Sequence, residues 1–113
     1  EARFQGTGAE VRDWLHVTDA ATLLRLAADQ AGPQAPVFNG ASGVGTSVRA
    51  VLAMLRTAFP NAPEPTFSEA PKPGDPCAYI GDSSRVRGLD WRPKIPLTEG
   101  MAATAAWFRQ EAR

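Results

Sequence analysis

The chain has 113 residues and sets twelve Lys or Arg against twelve Asp or Glu. That length fits one domain able to bury roughly two-thirds of its unfolded surface, and the cancelled charge leaves no net field for nucleic acid or an anionic membrane, so any phosphate binding is local. Cys77 is the only cysteine, which excludes an internal disulfide framework or a cysteine-rich metal site and suggests a reduced, cytoplasmic setting. The longest apolar run, Ala50 to Leu55, is far below the ~20 residues that span a bilayer, and residues 1–15 carry no signal-peptide pattern. A start at Glu1 without an initiator Met suits a fragment of a longer chain.

After a polar, Gly-containing lead-in, Val11, Leu15 and Val17 alternate with Arg12, Trp14 and His16, which predicts a two-faced strand on which Arg12 and His16 share a side. Thr18 or Asp19 is the expected cap of a helix over about 19–31, whose apolar residues Ala20, Leu23, Leu24 and Ala27 recur at helical spacing until Gly32-Pro33 stops it. Val37-Phe38-Asn39 reads as a short strand that needs neighbours from a larger sheet. The loop from Gly40 to Gly45 follows, with Thr46 or Ser47 capping a second amphipathic helix marked by Val48, Val51, Leu52, Leu55 and Phe59 and ended by Pro60. Six prolines between residues 60 and 76 predict a surface excursion, with an edge strand at Thr66-Phe67-Ser68. A strand over 77–80, a brief helix from Asp82 to Gly88, and a final helix capped by Thr98 with Leu97 just outside complete the series.

Several motifs have a plain and a chemical reading. Gly40-Ala41-Ser42-Gly43-Val44-Gly45 lies between a strand and a helix, yet its spacing is reversed from the dinucleotide fingerprint and no acid follows at the required distance, so it reads as a flexible turn. Arg12 beside a strand can make bidentate bonds to a diphosphate, each worth about 1.5–3 kcal/mol, while composition alone favours an ion pair with Asp13, Asp19 or Glu10. Lys72-Pro73-Gly74-Asp75 is on its own a turn. His16 has no second histidine or nucleophile in register, and Cys77 has no neighbouring base, so both read as structural. The three tryptophans read as packing residues.

Taken in order, Val11-Arg12-Asp13-Trp14-Leu15-His16-Val17-Thr18-Asp19, Val37-Phe38-Asn39-Gly40, Lys72-Pro73-Gly74-Asp75, Ser83-Ser84-Arg85, Leu89-Asp90-Trp91-Arg92-Pro93 and Leu97-Thr98-Glu99-Gly100 resemble the C-terminal part of the extended short-chain dehydrogenase/reductase family. The nearest pattern is that of NAD-dependent nucleotide-sugar epimerases and dehydratases of the UDP-glucose 4-epimerase type. The resemblance implies an α/β fold: the C-terminal substrate-binding portion of a Rossmann-type enzyme, with short strands and about four helices. Residues 1–113 would form that portion, 18–59 docking on or completing an upstream Rossmann domain and 60–113 forming a small α/β substrate lobe. It places Arg12 and Lys72 at the diphosphate and Asp75 near the nucleoside sugar. Lys72 stands where the family has Arg, keeping the charge and losing the planar fork. Asp90 stands where Gly is usual, a residue that tolerates positive φ.

The same resemblance implies what lies elsewhere. The family's catalytic Tyr is followed four residues later by Lys, whereas the only tyrosine here, Tyr79, is followed by Ser83. Catalytic and cofactor-binding residues are therefore expected upstream, with NAD or NADP bound by the full-length enzyme and none by this chain alone. The expected partners are a nucleoside-diphosphate sugar, an N-terminal Rossmann domain and a second copy in a homodimer. The alternatives are a noncatalytic nucleotide-sugar or partner-binding module, and part of a related carbonyl reductase.

Overall fold

The computed structural model of the chain describes residues 2–111. In chain order the elements are β1 (Arg3–Phe4), β2 (Val11–Asp13), α1 (Val17–Asp29), β3 (Gly45–Ser47), α2 (Val48–Ala58), β4 (Thr66–Phe67), β5 (Ala78–Tyr79), α3 (Ser84–Arg87) and α4 (Leu97–Glu111). Two small sheets result. β1 and β4 pair in parallel, while β2 is the centre of a three-stranded mixed sheet, antiparallel to β3 and parallel to β5. The register sets Thr46 and Tyr79 on either side of Arg12.

The strand expected over residues 11–17 is shorter than the alternation suggested. It ends at Asp13 because His16 caps α1: His16 has extended φ and ψ, and its Nδ1 accepts a hydrogen bond from the Thr18 N–H at 3.3 Å. His16 is therefore a cap, and the expected strand face shared with Arg12 does not form. The expected caps, Thr18 and Asp19, lie inside the helix. Asp19 is only 3% exposed, and its Oδ2 accepts from the N–H groups of Lys94 and Ile95 at 3.0 and 2.9 Å, tying the segment before α4 to the first turn of α1.

Residues 37–39 run as irregular chain, without a strand partner among the described residues. Phe38 packs on the core, and the Asn39 Nδ2 donates to the carbonyl of Asp82. The strand β3 was not expected, since Gly45-Thr46-Ser47 has no apolar alternation; pairing with β2 creates it. β1 is likewise made by its partner β4. Ser47 caps α2 by accepting from the Ala50 N–H, as its position predicts. The last helix begins one residue before its expected cap, with the Pro96 carbonyl accepting the first helical bond from Gly100.

The core is small. Leu23 of α1, Val86 of α3 and Trp91 are buried together, with Leu15, Leu26 and Phe38 packed around them. Trp91 satisfies its ring N–H by donating to Thr22 Oγ1 at 3.2 Å. Asp90 turns the chain into position with φ +58°, the conformation for which its side chain is tolerated where glycine is usual. On the other side α4 packs against α2. There Phe108 meets Phe59 edge-on with centroids 6.2 Å apart, and the Arg109 guanidinium lies over the Phe59 ring while donating to Ala58 O, an end carbonyl of α2.

Because Trp91 joins α1, α3 and the approach to α4, Trp91→Ala should destabilise the chain by about 3–5 kcal/mol. Thr22→Val, which orphans the ring N–H and removes the hydroxyl's bond to the Asp19 carbonyl, should cost about 1–3 kcal/mol. Urea denaturation followed by circular dichroism measures both.

Candidate functional site

Strand pleating sends Arg12 and Asp13 to opposite faces of the central sheet, and each side chain anchors a different segment. On one face the Arg12 Nη2 forms an ion pair with Asp75 Oδ1 at 2.6 Å. Its Nη1 donates to the carbonyls of Val11 at 2.8 Å and Pro76 at 2.9 Å. The structure thus joins two of the three expected site residues directly. None of the carboxylates expected from composition, at Glu10, Asp13 or Asp19, is the partner of Arg12. Lys72 opens the turn that Asp75 ends, and its carbonyl accepts from the Asp75 N–H at 3.1 Å. Lys72 is exposed, with no carboxylate within salt-bridge distance among the described residues.

On the opposite face Asp13 gathers three stretches of chain. Its Oδ1 accepts from the Ser42 N–H at 2.8 Å and the Ser42 hydroxyl at 2.6 Å. Its Oδ2 accepts from the N–H groups of Gly43 at 2.8 Å and Gly81 at 3.2 Å. Burial pushes the Asp13 carboxyl up, but the Ser42 hydroxyl and the three N–H groups outweigh it and hold the pKa below the ordinary value of 3.8. Two glycines fit this grip for steric reasons. Gly43 has φ +77°, with an Arg87 Nη2 at 2.6 Å from where a Cβ would stand, and a Cβ on Gly81 would overlap that of Ala41.

The Gly40–Gly45 loop is therefore clamped, in contrast to the flexible turn that its composition predicts. It does not fit the phosphates of a dinucleotide either. The N–H groups of Ser42 and Gly43 are spent on Asp13, and that of Val44 is spent on the Ser42 hydroxyl at 3.0 Å.

The other singled-out residues are placed plainly. Tyr79 and Cys77 are exposed on and beside β5. His16 stands at the mouth of a groove of about 240 Å³, its ring against Gly100. Trp14 and Leu15, with Ile95, Pro96 and Leu97, line both this groove and an adjoining one of about 260 Å³. Trp14 is fixed there by its ring N–H, which donates to the carbonyl of Thr46 at 3.2 Å. Neither groove is lined by Arg12, Lys72 or Asp75. Sequence reasoning missed the clamping roles of Asp13 and Asp19; the available signal was an acid at a strand end upstream of a glycine-rich loop, and an acid in the first turn of an apolar helix. No helix of the described residues is long and apolar enough to cross a membrane.

The mixed sheet offers an arginine to an exposed turn on one face and fills a glycine loop with a carboxylate on the other, and its fold is that of part of a Rossmann-type α/β protein. No protein-family model matches the chain. The dTDP-glucose 4,6-dehydratase of Actinoplanes sp. is 34% identical over 106 residues, covering 92% of this chain and 32% of that protein. The UDP-glucose 4-epimerase of Mycolicibacterium smegmatis is 33% identical over 109 residues, covering 96% and 34%. Among solved structures, the UDP-glucose 4-epimerase of Thermotoga maritima with UDP-glucose matches with a TM-score of 0.85 at 31% identity, over 100% of this chain and 36% of that one. The chain spans about a third of the length of these relatives. In sequence and fold the chain is similar to about a third of these nucleotide-sugar epimerases and dehydratases, in keeping with the resemblance to the extended short-chain dehydrogenase/reductase family.

Asp13→Asn should cost on the order of 2 kcal/mol at neutral pH, because it converts charge-assisted bonds to weaker ones and opposes an amide to N–H donors. The depressed carboxyl contributes fully above the unfolded value of 3.8, and its contribution is lost as pH falls through the lower folded value. Acid unfolding of the wild-type chain should accordingly contain a component below pH 3.8 that is absent in Asp13→Asn, as followed by circular dichroism.

Proposed function

We propose that this chain is the nucleoside-diphosphate-binding part of an NAD- or NADP-dependent nucleotide-sugar epimerase or dehydratase, with Arg12 and Lys72 directed at the diphosphate and Asp75 at the nucleoside sugar. The observation that carries the reading is the meeting of Arg12 with the 72–75 turn across 63 residues of sequence. A strand guanidinium and a turn ammonium then face solvent from adjoining segments, which suits a multiply charged, elongated ligand. The Thermotoga maritima epimerase, whose structure was solved with UDP-glucose, supports that ligand class, and the Thermus thermophilus UDP-glucose 4-epimerase solved with NAD, at 27% identity and a TM-score of 0.80, supports the cofactor.

The cofactor would be held outside these residues, since the one glycine loop is closed by Asp13 and the sole tyrosine lacks a lysine four positions on. Catalysis then requires a Rossmann domain as partner. The exposed apolar side chains of Leu24, Val37 and Val44 support docking of the 18–59 region on such a domain, with 60–113 as the substrate lobe. So does the radius of gyration, 16.7 Å against about 13 Å for a compact domain of this size. A cytoplasmic location and a homodimer of the full-length enzyme complete the proposal. The same exposed surface weighs against a free-standing nucleotide-sugar sensor.

Calorimetric titration with UDP and dTDP tests the site. Arg12→Ala should weaken binding at least about tenfold, the loss of one charge-assisted contact. Lys72→Arg, which restores a planar fork, should tighten it several-fold. Unchanged affinity in Arg12→Ala would remove the proposed diphosphate contact.

A further inference from the structure

An anion already occupies Arg12. A guanidinium has five N–H donors, and contacts within the chain use three of them: two on Nη1, to the carbonyls of Val11 and Pro76, and one on Nη2, to Asp75. The Asp75 carboxylate offers the same planar pair of oxygens to a guanidinium as a phosphate edge does. It is not sealed in place, since the side chains of the pair are 24% and 37% exposed. The segment that carries it has room to shift. Every residue from Pro71 to Ile80 is exposed, and the bond from Asp75 N–H to Lys72 O closes the turn. Gly74 adopts φ +81° with nothing within 4 Å of where a Cβ would stand. The Pro76 carbonyl and the Val11 N–H bond to Cys77 O fix the far end of this segment to β2, so the turn can move while its base stays attached.

Resting on the reading of Arg12 as a diphosphate contact, we propose that Asp75 is a built-in competitor for that diphosphate. In the ligand-free site the Asp75 carboxylate fills the Nη2 position, and a pyrophosphate group binds by taking that position while the 72–75 turn swings aside. The Nη1 bonds to Val11 and Pro76 keep the guanidinium in place through the exchange. The device is a specificity filter. A neutral ligand gains no charge attraction to offset the lost ion pair, whereas a multiply charged pyrophosphate does, and Lys72, which has no carboxylate partner among the described residues, adds its charge to the same side of the balance.

Inorganic pyrophosphate is the right probe, because it has no sugar hydroxyls for Asp75 to contact. It is titrated calorimetrically into the wild-type chain, Asp75→Asn, Asp75→Ser, Arg12→Ala and the Arg12→Ala/Asp75→Asn double variant, at low and high salt, with thermal melts to confirm folding. The expected result is binding roughly fivefold tighter in Asp75→Asn and Asp75→Ser than in wild type at low salt, the size of one exposed ion pair released, with the gain shrinking as salt screens the charges. Arg12→Ala should abolish both the binding and the gain. Equal or weaker binding by both Asp75 variants, with loss in Arg12→Ala, overturns the competitor role and leaves the diphosphate site standing. Binding that survives Arg12→Ala, or no binding by any of the proteins, overturns the diphosphate contact itself.

Discussion

The Asp13 carboxylate is the constraint on which the arrangement depends. It ends the central strand and accepts four hydrogen bonds, from Ser42, Gly43 and Gly81. Those donors belong to the loop leading into β3 and to the chain leaving β5, the two strands that flank β2. One side chain therefore fixes both neighbours of its own strand, on the face opposite the candidate ligand site. Strands of two or three residues have little pairing energy of their own, so a polar clamp of this kind supplies order that backbone ladders this short do not.

The consequence reaches Arg12, the preceding residue. With β3 and β5 secured from below, the other face of β2 presents a guanidinium whose position is defined by the carbonyls of Val11 and Pro76. Asp19, which is buried, works in the same manner on another segment. Asp19 holds residues 94 and 95, and this places the start of α4 against α1 and forms the walls of the two grooves around Trp14. Both acids exchange water for backbone N–H donors, the condition under which a buried carboxylate stabilises a fold.

Hydrophobic packing falls into modest groups, among them one around Val86 and Trp91, one between α2 and α4, and the Phe4–Phe67 pair. Between them the molecule leaves Val17, Leu24, Val37 and Val44 in solvent, each at half or more of its full exposure. Residues 37–39 have strand-forming side chains and, among the described residues, no strand beside them. A strand is a property of a pair, and this segment has the sequence of one without the partner. That accords with a chain matching about a third of its relatives' length.

The helices were legible because their signals are local. Apolar spacing marks α1 and α2, Ser47 caps where a cap is needed, Gly32-Pro33 and Pro60 forbid continuation, and Asp90 adopts the positive φ that its replacement of glycine implied. The family pattern was legible too, since it rests on residue identities in order. What the sequence could not disclose was decided by pairing across long separations. β1 and β3 exist only because distant strands align with them, the glycine loop is held by Asp13 from 29 residues away, and Arg12 chose Asp75 over three acids nearer in sequence. Local periodicity encodes which face of a helix is apolar; it holds no record of which carboxylate will find which donor, because that is settled by the geometry of the closed chain and the desolvation cost of leaving any one of them unpaired.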